Sequence, residues 1–256
     1  MTDLSVVIPV FRGAAELLER LPAFTQFLDA QDLDYELIIV DDGSGDGSGE
    51  LLKSATTEKI HVILNDENQG KFGAIATGMK AARGGCKLFT DGDLPYEDTV
   101  IPYMCDFILH GGFHVLVGDR TLPGSIYRGE LGLVRGLATR IFTLFVRLMV
   151  TGGLHDTQCG IKAFRADVAD AIFPLLKERG FAGDVELLYI ALIHNLAIRR
   201  VPARLRHQGP SSVHPVRDGL KMLGSILQLR SRRSRGFYTS DELVEIASQD
   251  YWSHPR

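Results

Sequence analysis

The chain has 256 residues, 45% of them apolar and 23% charged, the size and composition of one globular domain with a small elaboration; a disordered chain, a collagen and a disulfide mini-protein are excluded. Lys and Arg number 28 against 32 Asp and Glu, for a net charge of −4, which argues against a general nucleic-acid binder and leaves phosphate to local patches. The three cysteines, Cys86, Cys105 and Cys159, are widely spaced with no zinc pattern, as expected of a reducing cytoplasm.

In chain order, Leu4–Val10 (LSVVIPV) reads as a strand buried on both faces, followed by a helical pattern over Ala14–Leu28. Tyr35–Val40 is a second buried strand that stops at Asp41-Asp42-Gly43-Ser44. A short helix near Gly49–Ser54, a strand at His61–Leu64, a loop at Asn65–Gly70 and a helix over Lys71–Ala82 follow. Lys87–Thr90 is a strand running into Asp91-Gly92-Asp93, then come a helix over Thr99–His110 and a strand at His114–Val117. This alternation predicts a doubly wound, parallel α/β sheet flanked by helices. Beyond it, Leu131–Val150 reads as an apolar helix, His155–Phe164 as a loop entering a strand, Asp184–His194 as a helix and Ile198–Val201 as a strand. Val216–Leu229 is strongly amphipathic and runs into Arg230-Ser-Arg-Arg-Ser-Arg235; Thr239-x-x-Glu242 predicts a capped final helix. The division expected is a main α/β domain over residues 1–212, with the 131–150 segment within it, a basic amphipathic helix over 213–235 and a short helical tail over 236–256. The first residues carry no basic leader and no apolar run reaches the roughly 18 residues of a membrane span, so neither signal peptide nor span is expected.

Ligands in an open α/β sheet bind beyond the carboxyl ends of the strands, and two strand ends here are acidic: Asp41-Asp42 and Asp91-x-Asp93. Such carboxylates can accept ribose or base hydrogen bonds, or hold a hard divalent cation that in turn binds a diphosphate. An isolated Asp-x-Asp is most often a solvated turn; two acidic ends in one sheet favour a site. The glycines of Gly43–Gly49 do not make a dinucleotide fingerprint, because two carboxylates come first, and Gln69-Gly70-Lys71 lacks the rest of a P-loop. Lys71 remains within reach of a phosphate if its helix starts there. A second constellation is basic. Leu131–Val150 carries Arg135, Arg140 and Arg147 and no acid; Val216–Arg235 carries Arg217, Lys221, Arg230, Arg232, Arg233 and Arg235 against Asp218 alone. Basic amphipathic helices of this kind suit a membrane surface or a lipid phosphate, the ordinary alternative being core helices with solvated arginines.

The ordered series LSVVIPV, ELIIVDDGS, NQGKFGAIATGM, FTDGDLP, VGDR, HDTQCGIKAF and GDVELLYIA resembles the family-2 inverting glycosyltransferases, and within them the polyprenyl-phosphate enzymes, most closely the dolichyl-phosphate β-glucosyltransferase branch. The resemblance covers about residues 4–230 and implies a GT-A fold, a Rossmann-like and mostly parallel sheet with helices on both sides and C-terminal amphipathic interface helices. It implies inverting transfer of a hexose, glucose first, from a nucleotide sugar to a polyprenyl or dolichyl phosphate, with Mg²⁺ or Mn²⁺, by a protein attached peripherally to the cytoplasmic face of a membrane. Pro9, Val10, Asp41, Asp42, Lys71, Asp91 and Gly92 would bind the donor nucleotide, and Asp91 and Asp93 the metal. Asp93, Arg120, Arg135, Asp156, Gln158, Asp184 and Glu186 would form the catalytic pocket. Arg135, Arg140, Arg147, Lys221 and Arg230 would face acceptor and membrane. Cys159 is read as a small buried hydrophobe and Glu186, failing a role, as a helix-surface acid.

The chain departs from the family in three places. Phe11-Arg12-Gly13 stands where Asn-Glu is usual after the first strand. Leu94-Pro95 stands where some relatives carry a metal-binding glutamine, leaving water or diphosphate to fill that position. The C-terminal membrane helices of many relatives are not in the sequence, which implies a monotopic protein that docks alone, as a homo-oligomer or through a small membrane partner. The competing expectations are a GDP-mannose-dependent mannosyltransferase, an N-acetylhexosamine transferase, a nucleotidyltransferase making the activated sugar, and a catalytically dead membrane-bound scaffold.

Overall fold

The structure, a computed structural model, describes residues 2–125, 156–180, 182–206, 224–225 and 228–249. Strands β1 (Leu4–Val10), β2 (Tyr35–Asp41), β3 (Ile60–Leu64), β4 (Cys86–Phe89), β5 (Val115–Asp119), β6 (Lys162–Arg165) and β7 (Ile198–Pro202) form one sheet in the order β3-β2-β1-β4-β6-β5-β7. The helices are α1 (Ala14–Asp29), α2 (Ser48–Lys53), α3 (Lys71–Ala81), α4 (Val100–Leu109), α5 (Ala166–Ile172), α6 (Gly183–Ile193) and α7 (Asp241–Ser248); residues 228–234 are also helical.

The strand period of two sorts the sheet's side chains onto two faces. Val7, Ile38, Val40, Phe89, Val115, Val117 and Phe164 join the core under α3, α5, α6 and α7. Val6, Ile8, Leu37, Ile39, Leu88, Leu116 and Ala163 join the opposite core, under α1 and α4. The helices answer with period-3.6 stripes: Leu17, Leu21, Phe24 and Leu28 on α1, Ile101, Met104, Cys105 and Ile108 on α4. Central strands covered on both sides are why β1 and β2 read as unbroken apolar runs. The three thiols are all buried and free, and burial pushes Cys159 up to about 11, in line with the inert role expected of it.

The expected mostly parallel sheet is found, with one strand that the alternation did not anticipate. β6 runs antiparallel to both neighbours, pairing Phe89 with Lys162 on one side and Val117 with Lys162 on the other. Its N-terminal end therefore lies at the carboxyl ends of β4 and β5, and the loop before it opens onto that edge. Helix α5 was also unforeseen: seven residues, capped by no side chain and buried through Val168, Ala169, Ala171 and Ile172, are too few to show a helical period. The final helix begins one residue later than expected, because Ser240, not Thr239, caps it: Ser240 Oγ accepts from the Leu243 amide at 3.2 Å. Leu229, Tyr238, Leu243 and Ile246 all pack into the α3–α6 core. The expected helix over Leu131–Val150 and most of Val216–Leu229 lie outside the described residues.

Helix α3 lies so close to the sheet that a Cβ on Gly78 would sit 2.3 Å from Val7 Cγ1 and 3.1 Å from Val40 Cγ2. Gly78→Ala gains about 1 kcal/mol in helix propensity but overpacks the helix–sheet contact by about 1–3 kcal/mol. The expected outcome is a net loss of up to roughly 2 kcal/mol in denaturant unfolding; a more stable variant would mean the contact is looser than the geometry says.

Candidate active site

The carboxyl edge of the sheet is built first by two loops locked to each other. Asp41, the last residue of β2, takes the Ser44 amide at 3.2 Å and the Ser44 hydroxyl at 2.5 Å. Asp42 accepts from Asn65 Nδ2 and from the Gln69 amide, both at 2.9 Å, so the turn after β2 and the loop after β3 hold one geometry. Gly43 is required there: its φ is +65°, and a Cβ would lie 2.5 Å from the Glu67 carbonyl carbon. Val10 enters through its carbonyl, which accepts from the Asp42 amide at 2.8 Å. Pro9 closes on Gly92, where a Cβ would stand 2.6 Å from the Pro9 oxygen. In the unusual first loop, Arg12 has φ +55°, its amide donates to Ser44 Oγ at 2.8 Å, and its guanidinium lies 4.9 Å over the exposed Phe11 ring.

The segment after β4 carries the second acidic pair. Lys71, the first residue of α3, donates to Asp91 Oδ1 at 2.7 Å. Burial works against both charges. For Asp91 it would raise the pKa, but the Lys71 ammonium, with Lys162 and Arg120 further off, brings it below its ordinary value. For Lys71 burial would lower the pKa, but Asp91 and then Asp184 more than reverse this and raise it. Both groups stay ionised at neutral pH. Asp91 Oδ2 occupies the place of an absent side chain on Gly160, where a Cβ would come within 1.8 Å of it; no other residue fits. Asp93 is half-buried, and its carbonyl accepts from the Arg20 guanidinium on α1.

The loop that antiparallel β6 delivers brings two more pairs. Asp156 receives Arg120 from three directions: the backbone amide at 2.9 Å, Nε at 2.7 Å and Nη2 at 2.8 Å. Burial pushes Asp156 up, and the bidentate guanidinium brings it below its ordinary value. Lys162 begins β6 with no exposure at all; its ammonium donates to Asp184 Oδ1 on α6 and to the Cys159 carbonyl at 2.8 Å. Tyr96 Oη accepts from the Gly160 amide at 2.7 Å, fixing the loop from the side of β4. Partly buried Gln158 lies on the same loop.

Of the residues expected at the site, Lys71, Asp91, Arg120, Asp156 and Asp184 thus interact electrostatically as one group, while Asp41 and Asp42 lie across β1 from it. Glu186 is neither a surface acid nor open to this edge. It is fully buried, with Oε2 accepting the Lys177 and Glu178 amides at 2.8 and 2.7 Å and Oε1 accepting Tyr238 Oη at 2.5 Å and Arg232 Nη1 at 3.2 Å. Arg232 accordingly leaves the basic run and turns inward, whereas Arg230 is exposed. Arg135, Arg140, Arg147 and Lys221 lie outside the described residues. Lys162 had no role in the sequence reading, though a lysine starting an apolar strand calls for a buried partner. Arg179 and Tyr96 gave no signal in the sequence.

The three pairs, Lys71–Asp91, Arg120–Asp156 and Lys162–Asp184, together with the acidic strand ends, form a polar edge rich in carboxylates on an otherwise apolar sheet. Asp91 and Asp93 offer hard oxygen donors of the kind Mg²⁺ or Mn²⁺ takes. Among the described residues no group of three or more acidic, His or Cys side chains converges on one point, so such a cation would complete its shell with diphosphate oxygens and water, as Mg²⁺ commonly does.

A mostly parallel sheet with an inserted antiparallel strand and acidic residues at its carboxyl edge is an α/β architecture of GT-A type. Residues 5–173, well over half of the chain, match the family Glycosyl transferase family 2, and the protein belongs to that family: it is a glycosyltransferase. It is 29% identical to a dolichyl-phosphate beta-glucosyltransferase of Dictyostelium discoideum, over 92% of this chain and 76% of that one. It is 30% identical to the protein of the same name from Drosophila melanogaster, over 86% of this chain and 72% of the other. Among solved structures, glucosyl-3-phosphoglycerate synthase of Mycobacterium tuberculosis in complex with Mn²⁺, UDP-glucose and phosphoglyceric acid superposes with a TM-score of 0.67 at 20% identity, over 90% of this chain and 80% of that one. That likeness is one of fold.

The lowered pKa values of Asp91 and Asp156 set an acid limit. A depressed folded pKa contributes stability that is fully present above the unfolded value, about 3.9, and is lost as pH falls through the folded value. Denaturant unfolding from pH 6 to pH 3 should therefore show declining stability. The Asp156→Asn curve should lie below the wild-type curve at pH 6 and converge on it toward pH 3; curves that stay parallel would remove Asp156 from the acid response.

Proposed function

We propose that the protein transfers glucose, with inversion, from UDP-glucose to a polyprenyl phosphate at the cytoplasmic surface of a membrane, with Mg²⁺ or Mn²⁺ bound. The names of the relatives supply the sugar and the lipid. Fold neighbours crystallised with Mn²⁺ and UDP-glucose or with Mg²⁺ and UDP favour the nucleotide and the cation. The observation that carries the reading in this chain is the Lys71–Asp91 pair, held at the carboxyl edge of β4 with Lys162, Asp184, Arg120 and Asp156 around it.

Asp41 and Asp42, with the backbone of Pro9 and Val10, are assigned to the uracil and ribose. Asp91 and Gly92 hold the donor, and Asp93 with Asp91 holds the cation, which when bound neutralises the leaving diphosphate. Lys71 stands beside Asp91 as a fixed positive charge for the same diphosphate. Arg120, pinned in three places by Asp156, is the preorganised cation for the acceptor phosphate. The acceptor monoester is ionised at neutral pH, so its oxygen attacks the anomeric carbon from the face opposite the diphosphate without needing a strong base. The C1–diphosphate bond breaks as the C1–O–phosphate bond forms, and UDP leaves with the electron pair. Rate then comes from alignment and charge. Arg135, Arg140, Arg147, Lys221 and Arg230 are assigned to acceptor and membrane. Among the described residues no helix is long and apolar enough to cross a membrane.

The test is a lipid-extraction assay with the purified protein, Mg²⁺ and polyprenyl phosphate in detergent, counting label from UDP-glucose or GDP-mannose in the organic phase. Label from UDP-glucose alone is expected. Label from GDP-mannose alone would replace the sugar and nucleotide, and label from neither would overturn the proposal. Asp93→Ala, or chelation of the cation, should cut the wild-type rate by about 100-fold or more; a rate that survives both would remove the metal from the reaction.

A further inference from the structure

The segment between α5 and α6 contains no hydrogen-bonded regular structure over residues 176–179, yet it abuts the start of α3 closely. The Arg179 carbonyl accepts the Phe72 amide at 2.8 Å, and Arg179 Nη1 donates to Gln69 Oε1 at 3.0 Å. A Cβ on Gly70 would lie 2.6 Å from that same carbonyl. Arg179 thus grips the donor loop on both sides of Lys71, the residue on Asp91. What holds Arg179 is the two residues before it: the Lys177 and Glu178 amides both end on Glu186 Oε2. Glu186 in turn is held by residues far along the chain, Arg232 and Tyr238 on its Oε1. Arg232 also donates to Glu178 Oε1 at 2.7 Å, and Ser225 Oγ to Glu178 Oε2 at 2.9 Å. On the reverse side of this short helical segment, Arg230, Arg233, Arg235 and Phe237 face solvent.

We propose that Arg232 and Tyr238 are positioning residues for the transfer: through Glu186 they set Arg179, and Arg179 sets the loop that places Lys71 at the donor diphosphate. The C-terminal segment then acts on the donor site by way of one buried carboxylate, Glu186. This rests on the donor role proposed for Lys71. It separates the basic run into an inward arginine, Arg232, that orders the donor loop and outward arginines, Arg230 among them, left to the acceptor and the membrane.

The experiment uses the full chain and the variants Arg232→Ala, Arg232→Lys, Tyr238→Phe and Arg179→Ala. Two readouts are taken: amide hydrogen exchange of residues 69–73, and UDP affinity with Mn²⁺ by calorimetry. Arg232→Ala and Arg179→Ala should each speed exchange over 69–73 and weaken UDP about tenfold. Their double variant should be no weaker than the worse single one, since both break one chain of contacts. Arg232→Lys keeps a charge that can face Glu178 and Glu186 but loses the second nitrogen, Nη2, which donates to Gln228 Oε1 at 3.0 Å, and should restore part of the loss. Tyr238→Phe keeps the ring in the core and loses one hydrogen bond, so it stays folded and should give a smaller shift of the same sign. If melting points fall while exchange over 69–73 and UDP affinity stay at wild-type values, the cluster is structural and the proposal is overturned. A wild-type chain that does not bind UDP would count against the donor reading, whereas exchange over 69–73 judges the mechanical link by itself.

Discussion

An ammonium sealed away from water in an apolar core must find a carboxylate or lose its charge. Lys162 meets that demand in a way that organises half of the molecule. It opens β6 in register with Phe89 of β4 and Val117 of β5, lies over the Phe89 ring, and reaches Asp184 on α6 and the Cys159 carbonyl. One side chain thereby ties the sheet's reversed strand, the loop before it and the helix that covers it. The loop is the one that carries Asp156 and Gly160; the helix is the one that carries Glu186.

The same demand, repeated, shapes the working edge. Asp91 has Lys71, Asp156 has Arg120 and Asp184 has Lys162. Three acids and three cations stand close together, each held to its partner by hydrogen bonds, so the cluster they form is balanced in charge while strongly polar in detail. Such an arrangement costs little reorganisation when charge shifts during reaction, which is the condition under which fixed dipoles lower a barrier most. The close approaches at Gly160, Gly92 and Gly43 serve it by letting carboxylate and backbone stand where side chains would otherwise be.

How much of this the sequence discloses depends on the range over which each feature is encoded. β1 and β2 are legible because double-sided burial writes a continuous apolar run, and Asp41, Asp42, Asp91 and Asp93 because they follow such runs directly. The resemblance to family-2 glycosyltransferases placed Asp156 and Asp184 near the site before any geometry. The direction of β6 is not legible: a four-residue strand has a period but no arrow, and long intervening sequence separates it from β5. The burial of Glu186 is not legible either, because it sits in a helix of near-uniform apolarity and the partners that hold it lie 46 and 52 residues further on. Arg232 was read with its basic neighbours because local composition does not distinguish the one arginine of a run that points inward.

The sheet order also bears on how the protein is made. β1 to β4 can pair as they emerge, β1 with β2, β2 with β3, and β4 with β1. The other half has no such economy. β4 waits for β6, β5 for both β6 and β7, and the core above them for Leu229, Tyr238, Leu243 and Ile246. Contacts of such long sequence separation form slowly and late. During synthesis the nucleotide half of the edge would exist while β4 still presents an unpaired flank. A nascent chain in that condition exposes an apolar strand edge until the segment between Phe89 and Lys162, and β6 after it, has been translated, and it is then that it most needs protection from other chains.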